Sequence, residues 1–180
     1  MNLVERAKEL AHRAHAGQVD KAGRPYIEHV ARVAAAVRVD RRCCNENCNE
    51  QGEIVHWDTV GCGDPSCCSP ATSPCPDCDE AEAVAWLHDV LEDCPAHEEE
   101  FWCNHPAVVT RAVDKMTRWP GMLAKHYYAR VLRNPLALRV KLADIADNAD
   151  ESRLALLDEK TAGRLRRKYA KARAALGVGK

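Results

Sequence analysis

Eight of the ten cysteines lie between Cys43 and Cys78, and that clustering divides the chain into two kinds of polypeptide. The same stretch holds Gly52, Gly61, Gly63, Pro65, Pro70, Pro74 and Pro76, with acidic residues and neither Lys nor Arg. Turn formers at this density break long helices and strands. Residues 42–79 therefore read as an insertion within one domain that covers 1–180. Only Ile54 to Val60 offers a short strand there.

The flanks read as helix. Leu3, Val4, Ala7, Leu10, Ala11 and Ala14 form one stripe of a 3.6-residue period, stopped by Gly17. Pro25 suits a first helical position, and Tyr26, Val30, Val33 and Val37 continue a face beyond it. A third helix starts at Asp79 or Glu80 and runs through Ala83, Val84, Leu87 and Leu91 towards Pro95. Further helices fit residues 105–117, with Val108, Val109 and Val113 as its core face, and then 121–133, 135–149 and 158–176. No alternating strand pattern of useful length occurs outside the insertion. The expected fold is all-α. The basic tail from Asp158 to Lys180 reads first as a solvated helix face, with a phosphate-binding surface as the lesser reading.

Composition narrows the class. At 46% hydrophobic and 29% charged residues, the chain can bury a core and is not expected to be disordered. With 26 Lys+Arg against 27 Asp+Glu, the net charge is -1, so nucleic acid and anionic membrane are not expected partners. No apolar run approaches the ~18 residues of a spanning helix. The opening MNLVERAKEL carries charges within its apolar stretch, so no signal peptide and a cytoplasmic location are expected. In a reducing compartment, clustered cysteines favour metal over disulfides. Cys43, Cys44, Cys48, Cys62, Cys67, Cys68, Cys75 and Cys78 suffice for two four-thiolate Zn2+ sites, the tightest grip being Cys75-Pro-Asp-Cys78. His56 is a spare ligand, and a disulfide-knotted loop is the alternative. Cys94 and Cys103 read as small buried residues.

The segment AWLHDVLEDC, residues 85–94, sets His88, Asp89, Glu92 and Asp93 among apolar neighbours. In a continuous helix His88 stacks over Glu92 and Asp89 over Asp93. Four ionisable groups in apolar surroundings are costly unless paired or bound to a cation. GRPYIEHV adds His29, and RVKLADIADN adds Asp144, with Asn148 one turn on. His29, His88, Asp89 and Asp144 make a two-His, two-Asp set suited to Mn, Fe or Zn. Such an open site lowers the pKa of water and polarises a phosphoryl oxygen, and Glu92 and Asp93 are placed to orient or deprotonate that water.

The order GQVDKAGRPYIEHVARVA, AWLHDVLED, RVKLADIADN closely resembles the HD-domain phosphohydrolases. Within them it looks most like the hydrolase domain of the RelA/SpoT enzymes and the small alarmone hydrolases, over nearly the whole chain except the insertion. The resemblance implies an HD-domain helical bundle, Mn2+ or another divalent transition metal on His29, His88, Asp89 and Asp144, and Glu92 and Asp93 beside the attacking water. It implies substrate contacts from Lys21, Arg24, Arg118, Lys141 and Asn148. The implied reaction removes pyrophosphate from the 3′ position of a guanosine alarmone (ppGpp or pppGpp). The family usually carries Arg-Lys before the Gly that precedes PYI, and the Arg packs on guanine; here the pair is Asp20–Lys21. A carboxylate supplies no cationic plane. A deoxynucleoside or other nucleotide substrate thus stays open. So does a non-catalytic HD-fold module whose Cys-rich insertion binds a macromolecule. A bifunctional alarmone enzyme is not expected, since 180 residues leave no room for a synthetase domain. The sequence assigns no oligomeric state.

Overall fold

The first helix, α1 (Leu3–Ala14), is opened by a reciprocal cap. Asn2 Oδ1 accepts from the Glu5 amide and Glu5 Oε2 accepts from the Asn2 amide, both at 2.8 Å, which satisfies two amides that a helix start leaves unpaired. Gly17, at φ +76°, turns the chain in the left-handed region open to glycine. These features belong to a computed structural model that describes residues 1–39, 53–56, 71–74 and 76–178.

A tight turn follows. Asp20 N–H donates to Arg24 O at 2.8 Å, Tyr26 N–H donates to Gln18 O at 2.9 Å, and Gly23 carries φ +78°. The chain then enters α2 (Tyr26–Val39), whose Val30, Val33 and Val37 are fully buried. In the insertion β1 (Glu53–His56) pairs antiparallel with β2 (Ala71–Pro74). The short strand expected at Ile54 thus starts one residue earlier and acquires a partner that the sequence did not signal. Cys43, Cys44, Cys48, Cys62, Cys67, Cys68 and Cys75, and with them the expected zinc sites, lie outside the described residues. Cys78 is 4% exposed.

Helix α3 (Pro76–Leu87) begins at Pro76, three residues before the expected start, because proline is well suited to a first helical turn. It also ends earlier than expected, at Leu87. His88 Nδ1 donates to Ala85 O at 2.7 Å, taking the carbonyl that a continued helix would offer to the Asp89 amide. The chain resumes as the single turn α4 (Val90–Asp93). The two metal-type residues therefore sit at a helix break and not inside one long helix.

A 3-10 turn at Pro95–His97 and α5 (Glu98–Asn104) precede α6 (Ala107–Met116). Phe101 fills the core, which turns Cys103 outward; Cys94 is buried as expected and Cys103 is exposed. On α6, Val109 and Val113 are fully buried but Val108 is 39% exposed, since neighbours one position apart do not share a helix face. The remaining helices are α7 (Ala124–Leu132), α8 (Pro135–Asn148), α9 (Glu151–Leu154) and α10 (Glu159–Ala175). Asn134 caps α8, its Oδ1 accepting from Ala137 N–H at 2.9 Å, with Pro135 in the first turn.

Two apolar clusters result. α1, α2, α3, α6 and the start of α8 enclose Leu10, Val33, Leu87 and Phe101. The end of α8 packs Ile145 with Tyr127, Leu154, Leu165 and Tyr169 from α7, α9 and α10. Asp144 sits on α8 where one cluster gives way to the other. Among the described residues, no helix is long and apolar enough to cross a membrane.

Candidate metal centre

α2, the α3–α4 break and α8 deliver three side chains to one point. One ligand atom each from His29, His88 and Asp144 lie within 4.8 Å of one another. His29 Nε2 is 3.4 Å and His88 Nε2 3.8 Å from Asp144 Oδ1. Asp89 Oδ2 stands 2.8 Å from His88 Nε2 and 3.9 Å from His29 Nε2. The four residues singled out from the sequence are thus brought together. The histidines are 1% and 2% exposed.

The chemistry of the donor set decides what fits between them. His88 Nδ1–H is used by Ala85 O at 2.7 Å, and His29 Nδ1–H by Asp147 Oδ2 at 2.6 Å. That leaves both Nε2 atoms fully buried and facing carboxylate oxygens, His88 Nε2 against Asp89 Oδ2 and His29 Nε2 against Asp144 Oδ1. Bare lone pairs do not face carboxylates at these distances unless positive charge lies among them. Two neutral imidazoles and two carboxylates match a divalent transition ion in charge and in ligand type. Without the ion, protons take its place. Burial pushes the His88 imidazolium down, but the charge of Asp89 outweighs it and lifts the pKa to about 9. Burial likewise opposes a carboxylate at Asp144, yet Lys141 and the two imidazoles hold it well below the usual range.

Both aspartates are braced. Tyr26 Oη donates to Asp89 Oδ2 at 2.5 Å. Lys141 Nζ donates to Asp144 Oδ2 at 2.6 Å, and Asn148 Nδ2 to Asp144 Oδ1 at 2.5 Å. Lys141 and Asn148, expected at the substrate, line the cleft and also bond to Asp144.

The centre opens into a cleft of about 390 Å³. Asp89, Asp144, Glu92 and Asp93 line it on the acidic side. Glu92 Oε2 accepts from the Arg118 amide at 3.1 Å and so fixes the turn after α6. Asp93 makes no side-chain hydrogen bond or ion pair among the described residues. Burial, with the charges of Asp89 and Glu92, pushes its pKa up to about 6. Lys21, Arg24, Arg118 and Lys168 line the cleft as cations, and none of the four has a carboxylate within ion-pair distance among the described residues. Tyr127, Tyr128, Tyr169 and Leu157 form an apolar, aromatic wall.

Lys168 and Tyr169 come from α10. The basic tail is therefore not only a solvated face, because one side of it closes the cleft. Asp147 and Arg153, which no sequence motif singles out, also belong to the surroundings of the centre. Asp147 lies three positions after Asp144 on an apolar helix, a same-face spacing that marks it as a partner of the site. Arg153 had no signal. Asp20 is accounted for by the same group: its Oδ1 accepts from the Ala22 and Arg24 amides at 2.8 and 3.0 Å, and its Oδ2 pairs with Arg153 at 3.0 Å.

The chain matches no protein-family model and no curated protein.

Proposed function

We propose that the chain is a metal-dependent phosphohydrolase of the HD type that acts on a small nucleotide, with the guanosine alarmones ppGpp and pppGpp as first candidate substrates. The observation that carries the reading is the convergence of two buried imidazole Nε2 atoms on Asp89 and Asp144, at the edge of a cleft with an aromatic wall and cations that have no carboxylate partner among the described residues. His29, His88, Asp89 and Asp144 would hold a divalent ion, Mn2+ first. Such an ion supplies Lewis acidity at the phosphoryl group and lowers the pKa of water.

The protein's own groups do the rest. Asp93, free of hydrogen-bond and ion-pair partners among the described residues and with its pKa pushed up to about 6, takes the proton of the attacking water. Glu92 holds Arg118 at the cleft. Lys21, Arg24 and Arg118 receive phosphate oxygens, and the tyrosine wall receives the base. Water oxygen bonds to phosphorus, the bond from phosphorus to the ribose 3′ oxygen breaks, pyrophosphate leaves, and the ribose oxygen takes up a proton.

One observation favours a second substrate class. The position where alarmone hydrolases usually carry a stacking Arg is Asp20, whose carboxylate is occupied by two amides and Arg153. A deoxynucleoside or other nucleotide that needs no guanidinium stack fits this cleft equally.

The test is a nucleotide panel with Mn2+ that includes ppGpp and all deoxynucleoside triphosphates. Release of phosphate or pyrophosphate from at least one member, abolished by Asp89→Ala, is expected. No turnover across the panel, with binding of a macromolecule instead, contradicts the reading.

A further inference from the structure

The Asp147 carboxylate bonds to His29, Arg32 and Arg153 beside the centre, yet it does not line the cleft. Its Oδ2 receives His29 Nδ1–H at 2.6 Å and also pairs with Arg153 Nη1. Its Oδ1 receives Arg32 Nε at 2.6 Å. Arg153 reaches on to Asp20 Oδ2 at 3.0 Å, so the turn that carries Lys21 and Arg24 is tied to the same carboxylate.

The contact settles the His29 ring. An ionised carboxylate offers only acceptors, so a 2.6 Å approach requires the hydrogen on Nδ1. Arg32 and Arg153 keep Asp147 ionised, since two guanidinium donors stabilise its charged form. They also share its negative charge, so Asp147 orients the imidazole without taking the proton from it. The outcome is an Nε2 turned towards Asp144, 3.4 Å away; that nitrogen carries a proton when no metal is bound and would offer its lone pair to an ion. Carboxylates on the far nitrogen of a ligating imidazole fix its tautomer and raise its basicity.

We infer that Asp147, clamped between Arg32 and Arg153, is the positioning residue that makes His29 a metal ligand. This rests on the metal-centre reading of the proposed function and extends it to a residue outside the ligand set.

The experiment has two arms. In the metal-free protein, a low-field His29 Nδ1–H proton resonance is recorded by NMR and assigned by its loss in His29→Gln. In the second arm Mn2+ is titrated and followed by the EPR signal of free ion. Asp147→Ala should abolish the low-field resonance and weaken Mn2+ binding by about 10–100-fold. Asp147→Asn, which keeps the shape, secures a folded variant by circular dichroism; it should move the resonance upfield and weaken binding in the same direction. A folded variant of either kind that keeps both the wild-type resonance and the wild-type affinity overturns the inference. If the wild type binds no Mn2+ while the resonance responds as stated, the metal reading falls and the orienting role of Asp147 stands.

Discussion

Tyr26 Oη and His88 Nε2 converge on one oxygen: Asp89 Oδ2 lies 2.5 Å from the first and 2.8 Å from the second. The phenol is held protonated, because burial and then the charge of Asp89 push its pKa far above the ordinary range. It therefore remains a donor at any working pH and aims the carboxylate at the centre. Tyr26→Phe keeps the ring that packs between His15 and His29 and removes only the donor. A hydrogen bond to a charged group contributes about 1.5–3 kcal/mol. Mn2+ affinity should accordingly fall by about 10–100-fold, with little change in the far-ultraviolet circular dichroism. An unchanged affinity would show that Asp89 needs no such brace.

Metal should stabilise the fold. The centre joins α2, the α3–α4 break and α8, so an ion held there binds the native state alone. At a hundredfold excess over Kd the gain is about 2.7 kcal/mol, or a Tm rise of about 5–10 °C for a chain of this size. A thermal scan with and without Mn2+, followed by chelation, measures this. Asp144→Ala should show no rise.

Asp93 should cost stability at neutral pH when metal is absent. Its folded pKa, about 6, stands above the reference value of 3.8, so between those values the native state binds more protons than the unfolded state. Stability then falls as pH rises through that window, and the penalty is full above it. Asp93 lines the open cleft and is desolvated on its inner side while its side chain still reaches solvent, so screening reduces the effect to about 1 kcal/mol or less. Asp93→Asn should raise Tm at pH 8 by up to ~4 °C, with the gain lost by pH 4, while nucleotide hydrolysis falls sharply. Equal Tm values for both proteins at pH 8 would contradict the pKa assignment.

Lys168 separates the two readings of the basic tail. If it receives a phosphate oxygen, Lys168→Met should raise KM for the nucleotide by about tenfold, the loss of one charge-assisted contact of ~1.4 kcal/mol. Mn2+ affinity should stay at the wild-type value. An unaltered KM would return α10 to a merely structural role.

The sequence disclosed the four clustered side chains better than their supports. His29, His88, Asp89 and Asp144 were visible because ionisable groups on apolar helices demand an explanation, and the regular periods of α2, α3 and α8 placed them. What stayed hidden depends on long-range contact. The break after Leu87 arises from the His88 ring competing for a backbone carbonyl, which no periodicity reports. Arg153 reaches Asp20 and Asp147 only through the packing of α9, and Lys168 reaches the cleft only because the face of α10 around Leu165 and Tyr169 docks on the second apolar cluster. Asp147 alone was within reach, by its spacing from Asp144.

The most direct test of the centre is Mn2+ stoichiometry in the purified chain. One ion per chain at the His29, His88, Asp89 and Asp144 centre is predicted, followed by EPR titration, with that site lost in His88→Gln and in Asp144→Asn while both variants remain folded. A wild-type chain that binds no Mn2+, or variants that bind it as the wild type does, would contradict the account.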